Sequence, residues 1–360
     1  MATRYELEPL SSEEASRWDE LIADYESREL FHRQAWLDYL AASRGVQIRK
    51  WAIREHGRII GYFCGGILRK GPFRILGSPL KGWGTNFMGP VVDREFDQDA
   101  FLQALDRLAH EEHIAMTELE CRTFPEACLE AARYEAVPGW TYLVPVILGT
   151  DVIWNKLDST CRNRIRKAIR SALTIEHADD VVVAAEFYDR YTDLMRRKGL
   201  PPPYPPEYPQ LMFRYLKKAD LLFALRVRDP AGDTLAVGLF PHDGQTVYFW
   251  GGASYRDGRD LCPNDYLHWS AMRLAAERGL ASYDMCGYGP FKKKFGGQLV
   301  KLNRWHKCYW QTARWARKWY ELYHQRRVRL QGLADRLLAA ACRGQRASSS
   351  PHPSDLREAQ

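Results

Sequence analysis

The chain has 360 residues, with 46% hydrophobic and 27% charged content, which fits two folded domains better than one core or a disordered polymer. No run approaches the roughly 20 apolar residues needed to span a bilayer. The first residues, MATRYELEPLSSEE, are polar and acidic, unlike a signal or transit peptide, so a cytoplasmic location is expected.

The net charge of +7 is unevenly placed. Residues 304–346 hold eleven Lys/Arg against Glu321 and Asp335, a local +9 that leaves about −2 for the rest. This argues against a general nucleic-acid-binding fold and for one local contact with an anionic partner. The eight cysteines form no C-x-x-C pair and read as reduced thiols. His110 and His113 are three apart rather than the four of a helical zinc motif, so no metal is expected.

In chain order, RYELEPL reads as a strand and Ser11-Ser12 as caps for a helix carrying Trp18, Leu21 and Ile22. A helix follows over 31–43. KWAIRE, His56-Gly57 and RIIGYFCGGIL form a hairpin pattern. DAFLQALDRLAHEE places Phe101, Leu102, Leu105 and Leu108 at helical spacing, and strands MTELECR and WTYLVPVIL close this half. The second half opens on the helix CRNRIRKAIRSAL, the strand TIEHA and an amphipathic helix ended by Gly199. After the rigid LPPPYPPEYP come a meander (LLFALRVRD, TLAVGLFPH, QTVYFWGGAS), a helix from Pro263 and the strand SYDMCG. The loop GYGPFKKKFGGQ leads to one final strand, VKLNRWHKCYW. The similar element order predicts two α/β domains, 1–150 and 151–310, then a basic aromatic helix over 311–341 and a disordered tail over 342–360.

Three segments can carry chemistry. Cys161 to Arg170 has five cations and no acid, so Arg162, Arg166 and Lys167 cannot form i,i+4 pairs; they are either a solvated face or a phosphate-binding one. In Asp284-Met-Cys-Gly-Tyr288-Gly-Pro-Phe291-Lys292, a strand ends in a Gly-rich loop where α/β sheets bind ligands. Here Phe291 and Phe295 are expected to fix Lys292. Trp250, at an aromatic strand end, and Asn264, at a helix start, are wall and anion-holding candidates. His268 reads as a core histidine.

The runs WNKLDSTCRNRIRKAIRSAL, LFALRVRDPAGDTLAVGLF, YFWGGAS, PNDYLHWSAMRLAAERGLASYDM and FKKKFGG resemble the Fem/GNAT-like acyltransferases. That family covers peptidoglycan-bridge aminoacyl transferases and acetyltransferases of polysaccharide and exosortase gene clusters. FHRQAWLDYL resembles its N-terminal half, and the likeness spans about residues 30–310. It implies an α/β (α+β) fold of two tandem GNAT-like domains, each with a mixed, mostly antiparallel sheet, and a cleft between them. It further implies transfer of an acetyl, acyl or aminoacyl group to an amine of a cell-envelope or polysaccharide precursor or an amino sugar.

The family's Phe-Lys pair falls on Phe291-Lys292, and its basic helix on 162–170. The donor is acyl-CoA, such as acetyl-CoA, or aminoacyl-tRNA. The stretch from Tyr255 to Pro263 has one glycine where acetyl-CoA enzymes carry several, and no long tRNA-binding helical arm is visible. Lys292 is assigned to the oxyanion, Asp284 to the amine and Tyr288 to the leaving group. The aromatic helix over 311–341 either packs on the body or meets the inner face of a membrane as a peripheral contact. The competing class is a non-catalytic binding protein for a phosphorylated glycan or RNA end.

Overall fold

The computed structural model describes residues 4–323 and 326, apart from 94, 95, 123, 198, 203, 256 and 257. Its strands begin with β1 (Tyr5–Pro9), β2 (Gln47–Glu55), β3 (Arg58–Lys70), β4 (Phe73–Ser78), β5 (Gly89–Val92), β6 (Ile114–Leu119), β7 (Glu135–Val137) and β8 (Trp140–Pro145). There follow β9 (Thr174–His177), β10 (Leu222–Arg228), β11 (Thr234–Pro241), β12 (Thr246–Tyr248), β13 (Gly251–Ser254), β14 (Ser282–Asp284), β15 (Gln298–Lys301) and β16 (Arg304–Cys308).

Among the described residues these make three sheets. The first runs β1-β2-β3-β4-β6-β16-β7, with β5 added on β3; the others run β13-β11-β10-β9 and β12-β14-β8-β15. Pairing is antiparallel except between β4 and β6 and between β12 and β14. The β2–β3 hairpin turns on His56 and Gly57, both at positive φ (48° and 81°), the geometry that matches strand twist. Asp97 caps the helix Gln98–Glu111 by accepting from Ala100 N–H at 2.9 Å. That helix buries Phe101, Leu102, Leu105 and Leu108 against the first sheet's core, as its spacing predicts.

Two strands are exchanged between the halves. β8, expected to close the first half, instead lies between β14 and β15. The expected single final strand is two: β15 stays with the second half, while β16 inserts between β6 and β7 of the first. The connections touch where Leu302 N–H donates to the Gly139 carbonyl at 2.8 Å, and a Cβ on Gly139 would collide with the Leu302 carbonyl oxygen. Only glycine allows that approach. One apolar cluster also joins the halves, with Trp36, Leu40 and Met88 packed alongside Phe187, Leu239 and Tyr248. Sheet bonds and core thus cross residue 150.

The C-terminal helix is described over 311–323 and at 326. The remainder of the expected 311–341 helix and the 342–360 tail lie outside the described residues. No helix among the described residues is long and apolar enough to cross a membrane.

Candidate active site at the junction of the halves

The strand from Thr246 to Ser254 is interrupted at Phe249-Trp250. Its first part, β12, runs parallel to β14, and Phe249 N–H still donates to the Asp284 carbonyl at 2.8 Å. Past that point, among the described residues, β13 pairs only with β11 and is an edge strand. Two parallel strands that part in this way open a V at the carboxyl end of β14, where Asp284 sits.

Asp284 is fully buried. Its Oδ1 accepts from Thr141 Oγ1 at 2.5 Å and from Cys286 N–H at 2.7 Å. Its Oδ2 has no hydrogen bond among the described residues, and Arg122 Nη2 lies 3.9 Å away. Burial raises its pKa, against the pull of Thr141, the Cys286 amide, Arg122 and Lys292. Thr141 is supplied by the exchanged β8, and its Oγ1 also accepts from Gly287 N–H at 2.9 Å. The strand exchange therefore builds the site.

More acids approach from the first half. Glu29 accepts from the Tyr248 hydroxyl at 2.6 Å and lies 3.5 Å from Arg122, whose guanidinium stacks 3.6 Å over the Phe87 ring. Glu120 is held by Arg304 from the exchanged β16, while its Oε1 is buried without a hydrogen bond among the described residues. Burial raises the pKa of both Glu29 and Glu120, and each feels the Asp284 charge. The result is a cluster of carboxyl groups inclined to hold protons and to welcome a cation.

Lys292 lies beside this cluster, on the short helical turn Pro290–Lys293. Its Nζ donates to the carbonyls of Met285 (2.7 Å) and Cys286 (3.0 Å), curling the Gly-rich loop back onto β14. The φ of Gly287, 133°, favours glycine there, and a Cβ would also crowd the Lys292 ammonium at 3.1 Å. Burial lowers the Lys292 pKa, opposed by Cys286 and Asp284. The loop faces the first half: Asn86 Nδ2 lies 3.7 Å from Cys286 Sγ.

The expectation that Phe291 and Phe295 fix Lys292 is corrected. Their rings flank Lys294 instead, at 4.1 and 5.2 Å from its Nζ, and Lys294 makes a buried ion pair with Asp265. Lys292 is held by backbone carbonyls, with Phe249 as its nearest ring at 5.8 Å. Phe291 packs on His268 and Phe295 but leaves one side open to solvent. His268 is a core residue, bonded to the Tyr283 hydroxyl at 2.8 Å and pushed down to about 3 by burial and the nearby lysines.

The basic helix Ser159–Arg170 divides its cations. Arg162 turns inward and donates to the carbonyls of Leu157, Asn155 and Trp154, closing the preceding helix Thr150–Lys156. Arg166 bonds Asn163 and lies over the Trp154 ring at 5.3 Å. Lys167 stays exposed with Arg164, which sequence reasoning had not selected. Both act electrostatically on Cys262, the residue before the helix Pro263–Glu277; burial raises that thiol's pKa and the two cations oppose it. Asn264, in the first turn, donates to Ser254 Oγ at 2.8 Å and so ties the helix to the end of β13. A helix N-terminus with two exposed cations beside it is an anion-holding arrangement at the outer end of the V.

Residues 156–293 match the family model described as "Acetyltransferase (GNAT) domain". That stretch is similar to a GNAT acetyltransferase domain. The chain is similar in structure to FemX, with a TM-score of 0.66 at 16% identity, covering 83% of this chain and 96% of that one. It is also similar to a tandem GNAT protein from the clavulanic acid biosynthesis pathway (TM-score 0.52, 11% identity, 85% and 98% covered). L-PGS from Bacillus licheniformis is a further neighbour (TM-score 0.51, 12% identity, 83% and 93% covered). No curated protein matches the chain by sequence. The likeness read from the motifs is thus met by the family model and by the fold.

Within the GNAT domain, Trp250 is half-buried between the Tyr204 ring at 5.3 Å and Phe187 at 6.0 Å, with its indole against Gly84 of the first half. It is a wall of the junction. Tyr288 is 66% exposed, and its hydroxyl makes no hydrogen bond among the described residues. Sequence reasoning missed Glu29, Arg122, Thr141 and Tyr248, which lie 36 to 255 positions from Asp284 in sequence and meet it only through the fold.

Proposed function

We propose that the chain is an N-acyltransferase that moves an acetyl, acyl or aminoacyl group onto an amine of a cell-envelope or polysaccharide precursor or an amino sugar. The observation that carries this reading is the buried Asp284 carboxylate beside the Lys292 ammonium where β12–β13 and β14 part, inside the GNAT domain. Asp284 takes a proton from the incoming ammonium, leaving the nitrogen lone pair free to attack the acyl carbonyl carbon. A raised carboxyl pKa suits that task near neutral pH. Lys292 supplies positive charge to the oxyanion as it forms, an effect worth a few kcal/mol in a water-poor site. Attack leaves a second proton to be lost from the nitrogen. As the tetrahedral species collapses, the donor's leaving atom takes a proton from Tyr288, which we place in the site by swinging in from its exposed position, and the nitrogen's second proton restores the Tyr288 hydroxyl.

Acyl-CoA suits the donor side: its thioester supplies the activated acyl group. Arg164, Lys167 and the start of the helix Pro263–Glu277 offer charge for its phosphates, and the free edge of β13 offers backbone for its amides. Two amides of the preceding loop are used internally, Leu261 N–H to Gly258 and Cys262 N–H to Arg259, and Pro263 has no N–H. Phosphate binding here therefore leans on side-chain charge more than on a glycine cradle. Aminoacyl-tRNA is the second donor class. Either is a cytoplasmic metabolite, which puts the reaction in the cytoplasm.

Thermal shift of the intact chain with acetyl-CoA, longer acyl-CoAs and aminoacyl-tRNA tests the donor side. Saturating the correct donor raises Tm through ligand linkage. A flat response to all of them contradicts the proposal.

A further inference from the structure

The helix over 311–323 lies on the body the wrong way round. Its inward side is ionic: Arg314 pairs with Glu135 at 3.1 Å and Arg317 with buried Glu118 at 3.3 Å, next to the buried Ala313. Its outward side carries Trp315 (57% exposed), Trp319 (72%), Leu322 (50%) and Tyr323 (63%). Spacings of four, three and one put these on one helical face. Of the two placements the sequence left open, packing of the aromatic side on the body does not match these exposures.

The patch extends beyond the helix. Lys70, at the tip of the β3–β4 hairpin, lies 5.6 Å from the Tyr320 ring, and Phe73 meets Trp310 at 6.3 Å. Arg69, Lys70 and Lys318 are exposed around the rings, and the only acid of the stretch, Glu321, is taken by Arg317 at 3.1 Å. The sequence continues with Arg326, Arg327 and Arg329. Large rings with polar edges, interspersed with cations of one sign, match the interfacial zone of a bilayer, where aromatics sit at headgroup level and Lys/Arg meet anionic lipid. A second copy of the chain would bring like charge onto like charge, since a two-fold interface is self-complementary.

We propose that this face docks the protein on an anionic lipid bilayer surface. The contact stands independently of the acyltransferase reading and adds a location to it: an acceptor held by a lipid anchor would be met at the surface where it lies.

The test is co-sedimentation of the full chain with vesicles of phosphatidylglycerol and phosphatidylcholine, against vesicles of phosphatidylcholine alone. The chain is expected to pellet with the anionic vesicles and to be released by salt. The triple variant Trp315→Ser, Trp319→Ser, Tyr323→Ser is expected to bind at least about tenfold more weakly with an almost unchanged unfolding transition, because each of these residues is more than half exposed. Lys70→Gln, which leaves the helix untouched, is expected to cost about fivefold. The proposal is overturned if the wild-type chain stays in the supernatant with both vesicle types, or if the triple variant binds as tightly as wild type. Light scattering that finds a dimer dissolved by the triple variant also overturns it.

Discussion

Replacing Thr141 by valine probes the site through the strand that the two halves exchange. Thr141 is buried, and its hydroxyl serves two partners, donating to Asp284 Oδ1 at 2.5 Å and accepting from Gly287 N–H at 2.9 Å. Valine has nearly the same shape, so little packing is lost. A bond to a charged acceptor is worth about 1.5–3 kcal/mol, and the half-buried Gly287 amide left without its partner adds about 1 kcal/mol. The expected loss is about 2–4 kcal/mol in urea denaturation.

The pH dependence follows from the same bond. Thr141 holds the Asp284 pKa down against burial, so its removal raises that pKa further. The activity limb that rises with pH as Asp284 ionises should move to higher pH. The stability gap between variant and wild type should be largest where Asp284 is charged, and shrink as pH falls through its folded pKa. A variant as stable as wild type, with an unmoved rate profile, would refute the claim that β8 positions the base.

Asp284→Asn keeps both acceptor contacts of Oδ1 but removes the base, so turnover should drop about 10²- to 10⁴-fold in steady-state assays. Because burial raises the Asp284 pKa, wild-type stability falls as pH rises from the usual carboxylate range through that raised value; the variant should lack this fall in pH-resolved denaturation. Lys294→Met strands the buried Asp265 carboxylate and should cost about 3–5 kcal/mol in thermal unfolding, while the exposed Lys293→Met should cost almost nothing. The pair Arg164→Gln and Lys167→Gln should raise the donor KM several-fold at unchanged kcat, read from donor saturation curves, because both cations stand at the anion end of the V and away from Asp284.

Much of the second half was legible because its signals are local. Strand runs such as LLFALRVRD and TLAVGLFPH, the glycine between them (Gly232, φ 89°) and the helix start at Pro263 each depend on neighbours in sequence, and the structure keeps them. Asp284 and Lys292 could be picked because a strand end followed by glycines is visible in one dimension. Strand exchange leaves no such mark: the pattern of WTYLVP says strand, but not which sheet it joins. Gly139 is the one residue that betrays the crossing, and a lone glycine has many explanations. Ring spacing also misled, since phenylalanines four apart on one turn enclose the lysine between them in space, Lys294, rather than the one next in sequence. Between the two placements left open for helix 311–323 the sequence could not choose, because the ion pairs on its inner side join residues far apart in sequence.

The most direct test is transfer itself. Wild-type chain and Asp284→Asn are each incubated with labelled acyl-CoA, and separately with aminoacyl-tRNA, alongside an amino sugar or a lysine-bearing stem peptide, and the N-acylated product is counted by mass spectrometry. The account predicts amine-dependent product from one donor with wild type and almost none with the variant. Equal product from both proteins, or no discharge of either donor above the buffer rate, would contradict it.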